Sequence, residues 1–355
     1  MAKHDHQTDE FFMARAMELA LLGKGSVSPN PLVGSLIVHE GRIIGEGWHQ
    51  KYGGPHAEVN AIYNVADKTL LKESTVYVSL EPCSHFGKTP PCVDLLIQHQ
   101  VKKVVVANLD SNPRVSGTGL HKLRAAGIEV VSGILDKKGR ELNKRFFTFM
   151  EKRRPYIILK WAETADGFIA RKNYDSKWIS DEFSRQVTHK WRTEEDAVLV
   201  GMRTARQDNP ILNVRDWTGR NPVRIVIDRF LKVNERLHLF DGSQRTLCYN
   251  VLKHEESDNI IRVRIDEENF LTNLVDDLVK RDIQSVIVEG GAQTLQAFID
   301  LDLWDEARIF ISSKTFEDGI KAPTISGVLQ TQQKVVADWL KVLMHPDHAT
   351  LKHKI

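Results

Sequence analysis

Only three cysteines occur in the 355 residues. They are too few for a disulfide framework, so a reducing compartment is expected and paired cysteines are better read as metal ligands. No apolar run approaches the roughly 20 residues that a membrane-spanning helix needs. The first residues, MAKHDHQTDE, hold no apolar signal core. Net charge is nearly absent: 49 Lys and Arg face 47 Asp and Glu, a formal +2, and aromatic residues make up 8%. Neither value gives the basic or aromatic face of a nucleic-acid-binding protein. What is there is ordinary for a globular chain: 41% hydrophobic and 27% charged residues exclude a largely disordered one. At roughly 150 residues per domain the length predicts about two domains, each able to close its own core. The expectation is a soluble cytoplasmic protein with no membrane and no nucleic-acid partner.

Apolar spacing in 11–23 predicts a helix ending at Gly23. Residues 31–49 read as two strands joined around Glu40-Gly41. Helical period returns in 56–66, and 74–80, 93–100, 102–110, 121–127 and 128–134 then alternate strand and helix. A hairpin followed by such alternation predicts a three-layer α/β/α sandwich. The charged stretch 136–155 reads as a solvated helix face and linker, which divides the chain into residues 1–150 and 151–355. The second part is also α/β. Strands are expected at 156–164, 197–201, 223–228, 246–250, 260–265, 285–291 and 307–313, with helices at 181–195, 273–282 and 292–301.

The sharpest signal is PHAEV at 55–59 followed by EPCSHFGKTPPC at 81–92. One imidazole, His56, and two thiolates, Cys83 and Cys92, make a three-ligand zinc set that leaves a tetrahedral position for water. Zinc lowers the pKa of such a water. Glu58, two residues after His56 at a helix start, can take its proton and pass it to a leaving nitrogen. This is the order of residues in zinc nucleobase deaminases, H-x-E then P-C-x-x-C, with eight residues instead of two between the cysteines. Cys248 in TLCYN reads as core, and His4, His6, His345, His348 and His353 as solvated.

The longer cysteine spacing, with SPNPLVG at 28–34 upstream, resembles the bacterial riboflavin-biosynthesis deaminase–reductases. Their deaminase half has the cytidine-deaminase-like fold. The resemblance implies that His56, Cys83 and Cys92 are zinc ligands and Glu58 the catalytic proton shuttle. Asn30 matches a substrate-contacting asparagine, although it also reads as a turn residue before Pro31. DSNPRVSGTG at 110–119 is similar to a family loop that usually reads DPNP; Ser111 in place of proline is expected to loosen it.

In the second part no GxGxxG follows a strand, so a Rossmann dinucleotide site is not supported. VIVEGG at 286–291 ends a strand in two glycines before a helix. That turn suits phosphate at a helix N-terminus and equally suits a plain connection. KWAETADG, SKWIS, HKWR, VGMRTARQDNPILNVR and VEGG occur in the order of the same family's reductase half, which has a dihydrofolate-reductase-like α/β fold. The resemblance implies NADPH contacts at Ala162, Trp178, Thr204 and Asp208, and along Gly291, Ala292, Gln293, Thr294, Leu295, Gln296 and Ala297. It implies substrate contacts at Ser176, Arg192, Leu212, Arg215 and Glu289. Arg192 and Arg215 are chemically able to hold a sugar phosphate, although either alone also reads as a surface charge or ion pair. Lys160, beside Ala162, is a candidate polar contact, and no catalytic acid is assigned.

The resemblance covers about residues 11–313, and the last forty or so residues carry no usable motif. It implies two successive steps: hydrolysis of the C2 amino group of 2,5-diamino-6-ribosylamino-4(3H)-pyrimidinone 5′-phosphate, then NADPH-dependent reduction of the ribosyl group to ribityl. The implied cofactors are one zinc ion and NADPH. The implied partner is a small pyrimidine ribosyl phosphate, and relatives form homo-oligomers. Two rivals stay open. One is a tRNA-type nucleic-acid deaminase with an appended binding domain; the other is a binding protein with a structural zinc, for which an intact Glu58 has no use.

Overall fold

In the computed structural model, residues 2–86, 90–112 and 116–349 are described. The chain forms two compact units, Met1–Arg153 and Arg154–Ile355.

The first unit runs α1 (Ala2–Leu21), β1 (Gly34–His39), β2 (Arg42–Trp48), α2 (Ala57–Tyr63), β3 (Thr75–Leu80), α3 (Cys92–Gln98), β4 (Lys103–Asn108), α4 (Thr118–Ala125), β5 (Glu129–Ser132), α5 (Asp136–Leu142) and α6 (Lys144–Lys152). Its sheet has the order β2-β1-β3-β4-β5. The hairpin β1–β2 and the β1–β3 pair are antiparallel, while β3, β4 and β5 are parallel. Strand side chains alternate between faces, and both faces are covered. Ile37, Val76, Val78, Val104 and Val106 meet α2, α3 and α4 on one side. Leu36, Val38, Tyr77, Val105 and Ala107 meet Phe12, Met13 and Ala16 of α1 on the other. This is the three-layer sandwich.

Helix α1 starts well before the apolar spacing does. Asp9, within the polar part of α1, is buried, accepts from the Tyr77 hydroxyl at 2.6 Å and pairs with Lys103. The charged stretch after residue 136 holds two helices, and the second buries Phe146 and Phe147 against Leu80. Apolar residues bunched among charges hide that face from a reading by charge.

The second unit contains β6 (Tyr156–Glu163), β7 (Phe168–Ala170), α7 (Glu182–Glu194), β8 (Ala197–Gly201), α8 (Met202–Asp208), β9 (Val223–Ile227), β10 (Thr246–Asn250), β11 (Glu255–Ser257) and β12 (Ile260–Arg264). It continues with α9 (Phe270–Lys280), β13 (Ser285–Val288), α10 (Ala292–Asp300), β14 (Glu306–Ile311), β15 (Ile320–Lys321), β16 (Val328–Val335), β17 (Asp338–Met344) and α11 (Pro346–Ala349). Ten strands make one sheet, β11-β12-β10-β9-β8-β13-β6-β14-β17-β16. From β12 to β14 neighbouring strands are parallel. Ile157, Leu199, Ile225 and Val288 pack under α9 and α10 on one face, and Ile158, Val200, Val226 and Cys248 lie on the other. Cys248 is core, as its place in the strand predicts.

The motif-free C-terminal segment folds into the antiparallel hairpin β16–β17 at the sheet edge. Every residue from Val328 to Lys334 is exposed, so β16 lacks the alternation that announces a strand. His345 is not solvated: it is buried, with Nε2 2.6 Å from Asp302 and its ring edge-on to Trp304. The side chains of His4, His6, His348 and His353 lie outside the described residues.

Candidate functional site

In the first unit three elements converge. His56 sits at the extended N-cap position of α2, Cys83 follows β3 after Pro82, and Cys92 is the first residue of α3. Nδ1 of His56 lies 3.3 Å from Cys92 Sγ and 3.5 Å from Cys83 Sγ. A tetrahedral zinc with ordinary Zn–N and Zn–S bonds separates its nitrogen and sulfur ligands by about 3.5 Å. The donors therefore fit zinc in type and in spacing. Cys83 Sγ also accepts from the backbone N–H of Cys92 at 3.3 Å, which favours a thiolate. The thiol of Cys92 donates to Cys83 and holds it down at about 4, while Cys92 is pushed up by keeping the shared proton. A divalent cation takes the place of that proton.

Glu58, in the first turn of α2, is buried at 3% exposure. Burial raises its carboxyl above the ordinary range, opposed by the His56 charge. That is the direction a proton-carrying group needs. Asn30 is more than a turn residue. Its Nδ2 lies 3.0 Å from Nε2 of His49, whose Nδ1 lies 3.0 Å from the Pro55 carbonyl. A carbonyl only accepts, so Nδ1 carries the proton and Nε2 accepts from Asn30. Burial lowers the His49 pKa and keeps the ring neutral, 5.5 Å from the His56 ring. Sequence reasoning missed His49; a histidine just past the end of β2 offers no spacing to the motif.

It also missed Glu81 and Asp110. Asp110 is raised to about 6, mainly by burial and further by the charges of Glu81 and Cys83, and its backbone N–H donates to Glu81 Oε2 at 3.2 Å. The Ser111 hydroxyl donates to Glu151 at 2.6 Å, and Glu151 pairs with Arg140, while residues 113–115 of the loop lie outside the described residues.

In the second unit a cavity of about 900 Å³ opens at the C-terminal ends of β6, β8, β9 and β13. Open parallel sheets bind ligands at this edge. Ala162, Ser176, Trp178, Arg192, Thr204, Asp208, Leu212, Arg215, Glu289 and residues 291–295 all line it. Gln296 and Ala297 do not. Gln296 bonds to Asp300 and Thr324, and Ala297 packs on the core, because the turn of α10 carries them away from the opening.

The ends of β8 and β13 meet closely. A Cβ on Gly290 would lie 2.9 Å from the Thr204 side chain, and one on Gly201 would lie 2.3 Å from the Thr294 hydroxyl. Gly291, at φ 72°, opens α10 without a capping side chain. These bare glycines and two hydroxyls fit the phosphates of a dinucleotide.

Arg192 turns three of its five N–H groups onto the protein. Its Nε and Nη2 bond Glu289 at 2.7 and 2.8 Å, and Nη1 bonds the Asn213 carbonyl at 3.0 Å. Burial opposes the charge on Glu289, but Arg192 outweighs it and holds the carboxyl at about 2. Arg215 is half exposed; its Nη1 bonds Asn213 at 3.4 Å, its Nε lies 3.7 Å from Asp216, and its remaining N–H groups face the cavity that it lines. Leu212 is buried, and its carbonyl accepts from Gln244 at 3.3 Å. Lys160 faces the cavity with no hydrogen bond to a described residue, and burial lowers its pKa. Asp208 is raised by burial and lies 3.4 Å from Ser176 Oγ.

Fold and site thus define a zinc-deaminase domain joined to a dihydrofolate-reductase-like reductase domain. Residues 6–108 match the cytidine and deoxycytidylate deaminase zinc-binding region, and 155–342 match the RibD C-terminal domain. The chain is 42% identical over 320 residues to riboflavin biosynthesis protein RibD of Aquifex aeolicus, covering 88% of this chain and 89% of that one. It is 37% identical to the Escherichia coli RibD, covering 86% and 88%. A Thermotoga maritima diaminohydroxyphosphoribosylaminopyrimidine deaminase/5-amino-6-(5-phosphoribosylamino)uracil reductase superposes with a TM-score of 0.88 at 38% identity, covering 96% and 100%. The chain belongs to the RibD family, the bifunctional deaminase–reductases of riboflavin biosynthesis. Among the described residues no helix is long and apolar enough to cross a membrane.

Proposed function

We propose that the first unit deaminates 2,5-diamino-6-ribosylamino-4(3H)-pyrimidinone 5′-phosphate and that the second reduces the deaminated product to 5-amino-6-ribitylaminouracil 5′-phosphate. The observation that carries this reading is the His56–Cys83–Cys92 cluster beside a buried Glu58. Zinc, when bound, makes hydroxide available from water near neutrality, and NADPH, when bound, supplies hydride. His56, Cys83 and Cys92 hold the metal. Glu58 takes a proton from the attacking water and delivers it to the C2 amino group, so that water and the aminopyrimidine become carbonyl and ammonia. Asn30, oriented by neutral His49, bonds the substrate.

In the second unit the Gly290–Thr294 turn, Thr204, Asp208, Ala162 and Trp178 hold NADPH. Arg215 holds the substrate phosphate, with Ser176 and Leu212 beside it, while Arg192 keeps Glu289 ionised and oriented. Reduction at the anomeric carbon opens the ribosyl ring, and the ring oxygen then needs a proton. Lys160, which lines the cavity with no hydrogen bond to a described residue, is placed to supply it. The free thiols suit a reducing cytoplasm. The exposed edge strand β16 suits pairing with a second copy, which sedimentation equilibrium tests. The substrate reading is tested by ammonia release and NADPH oxidation with the diamino compound. A chain that releases no ammonia from it has another substrate.

A further inference from the structure

Glu81 ends the strand exit that leads to Cys83 and is 4% exposed. No ion pair balances its charge among the described residues. Four backbone N–H groups do so instead. Oε2 accepts from Asp110 at 3.2 Å and Gly117 at 2.9 Å, and Oε1 from Gly119 at 3.0 Å and Leu120 at 3.4 Å. Gly117 is the N-cap of α4 and has no side chain to cap it. The carboxylate of Glu81 therefore stands in for the missing cap from a distant element. The two segments are fastened twice more. Ser84 Oγ lies 2.6 Å from Thr118 Oγ1, and Lys122 donates to the Ser84 carbonyl at 2.9 Å. Their backbones also touch: a Cβ on Gly119 would lie 2.4 Å from the Pro82 carbonyl oxygen.

We infer that Glu81 is a positioning residue for deamination: it draws Asp110 and the start of α4, Gly117–Leu120, onto the turn that carries Cys83 and so sets the surface beside that ligand. This rests on the first unit being the deaminase. Glu81 reaches none of the reacting groups. Glu58 and His56 are placed by α2, and Cys92 by α3. A substrate bound against that surface loses hold in ground state and transition state alike when the surface loosens, which raises KM and spares kcat.

The test uses the full-length protein with Glu81→Gln, which keeps the shape, removes the charge and leaves only one acceptor oxygen. Zinc per chain and reduction of already deaminated substrate stay at wild-type levels, deaminase KM rises tenfold or more, and kcat stays within about threefold. Ser84→Ala, which breaks one fastening and buries no new group, raises KM a few-fold and carries the test if the first variant does not fold. A fall in kcat at unchanged KM, or zinc loss in step with activity, overturns the proposal. Unchanged kinetics in both variants also overturn it. A wild type that does not deaminate overturns the deaminase reading itself and this inference with it.

Discussion

Arg192 and Glu289 engage each other at two points, Nε to Oε1 at 2.7 Å and Nη2 to Oε2 at 2.8 Å, inside the cavity of the second unit. Sequence reasoning offered both as separate substrate contacts. Their pairing makes them one device, because each uses its directional bonds on the other. Lysine keeps the charge at position 192 but has no fork to match the carboxylate. Arg192→Lys is expected to lower reductase kcat/KM by tenfold or more and to leave ammonia release unchanged. Equal loss of both activities would show a folding defect instead.

The same corner governs acid stability. Burial, then the charges of Arg192 and Arg215, push His189 from 6.5 down to about 4. Glu289 titrates at about 2 instead of 4.5. The unfolded chain therefore binds these protons at higher pH than the folded one, and acidification favours unfolding. Urea midpoints of the second unit should hold above pH 6.5, fall between 6.5 and 4 through His189, and fall further below 4.5 through Glu289. His189→Gln should flatten the first interval. A midpoint that rises on acidification contradicts the account.

Glu58 carries protons and the three ligands carry metal, so the two functions separate. Glu58→Gln should retain one zinc per chain and lose about 10²–10⁴ in deamination, the usual size of a general acid–base contribution. Cys92→Ser should lose zinc and deamination together. Metal analysis beside an ammonia assay distinguishes them, and zinc loss in Glu58→Gln would assign Glu58 to metal retention.

Asn30 depends on the tautomer of His49. Asn30→Ala should raise deaminase KM by about tenfold, and His49→Gln, which keeps an acceptor but shifts it, should do so by less. The pH profile should show no His49 titration near 6.5, since burial lowers its pKa. KM values for both variants equal to wild type would remove Asn30 from the substrate site.

The layers of the first unit were legible because its strands alternate faces and its motif residues stand at element ends, where His56, Cys83 and Cys92 sit. Gln296 and Ala297 stand outside the cavity lining because the contiguous family segment continues into a helix, whose turn carries them away from it. Strand β16 was invisible since nothing in it alternates. The Arg192–Glu289 pairing spans 97 residues, and no local pattern reports such a partnership. Glu81 and His49 act through backbone groups and a tautomer, which leave no signature in composition or spacing.

The central claim is one chain performing two ordered steps. The direct measurement follows NADPH oxidation by zinc-loaded protein, wild type beside Glu58→Ala, with the diamino pyrimidinone ribosyl phosphate and with its deaminated product. Wild type should oxidise NADPH with both compounds, and Glu58→Ala only with the deaminated one. Oxidation by Glu58→Ala with the diamino compound, or none by wild type with the deaminated compound, would contradict the account.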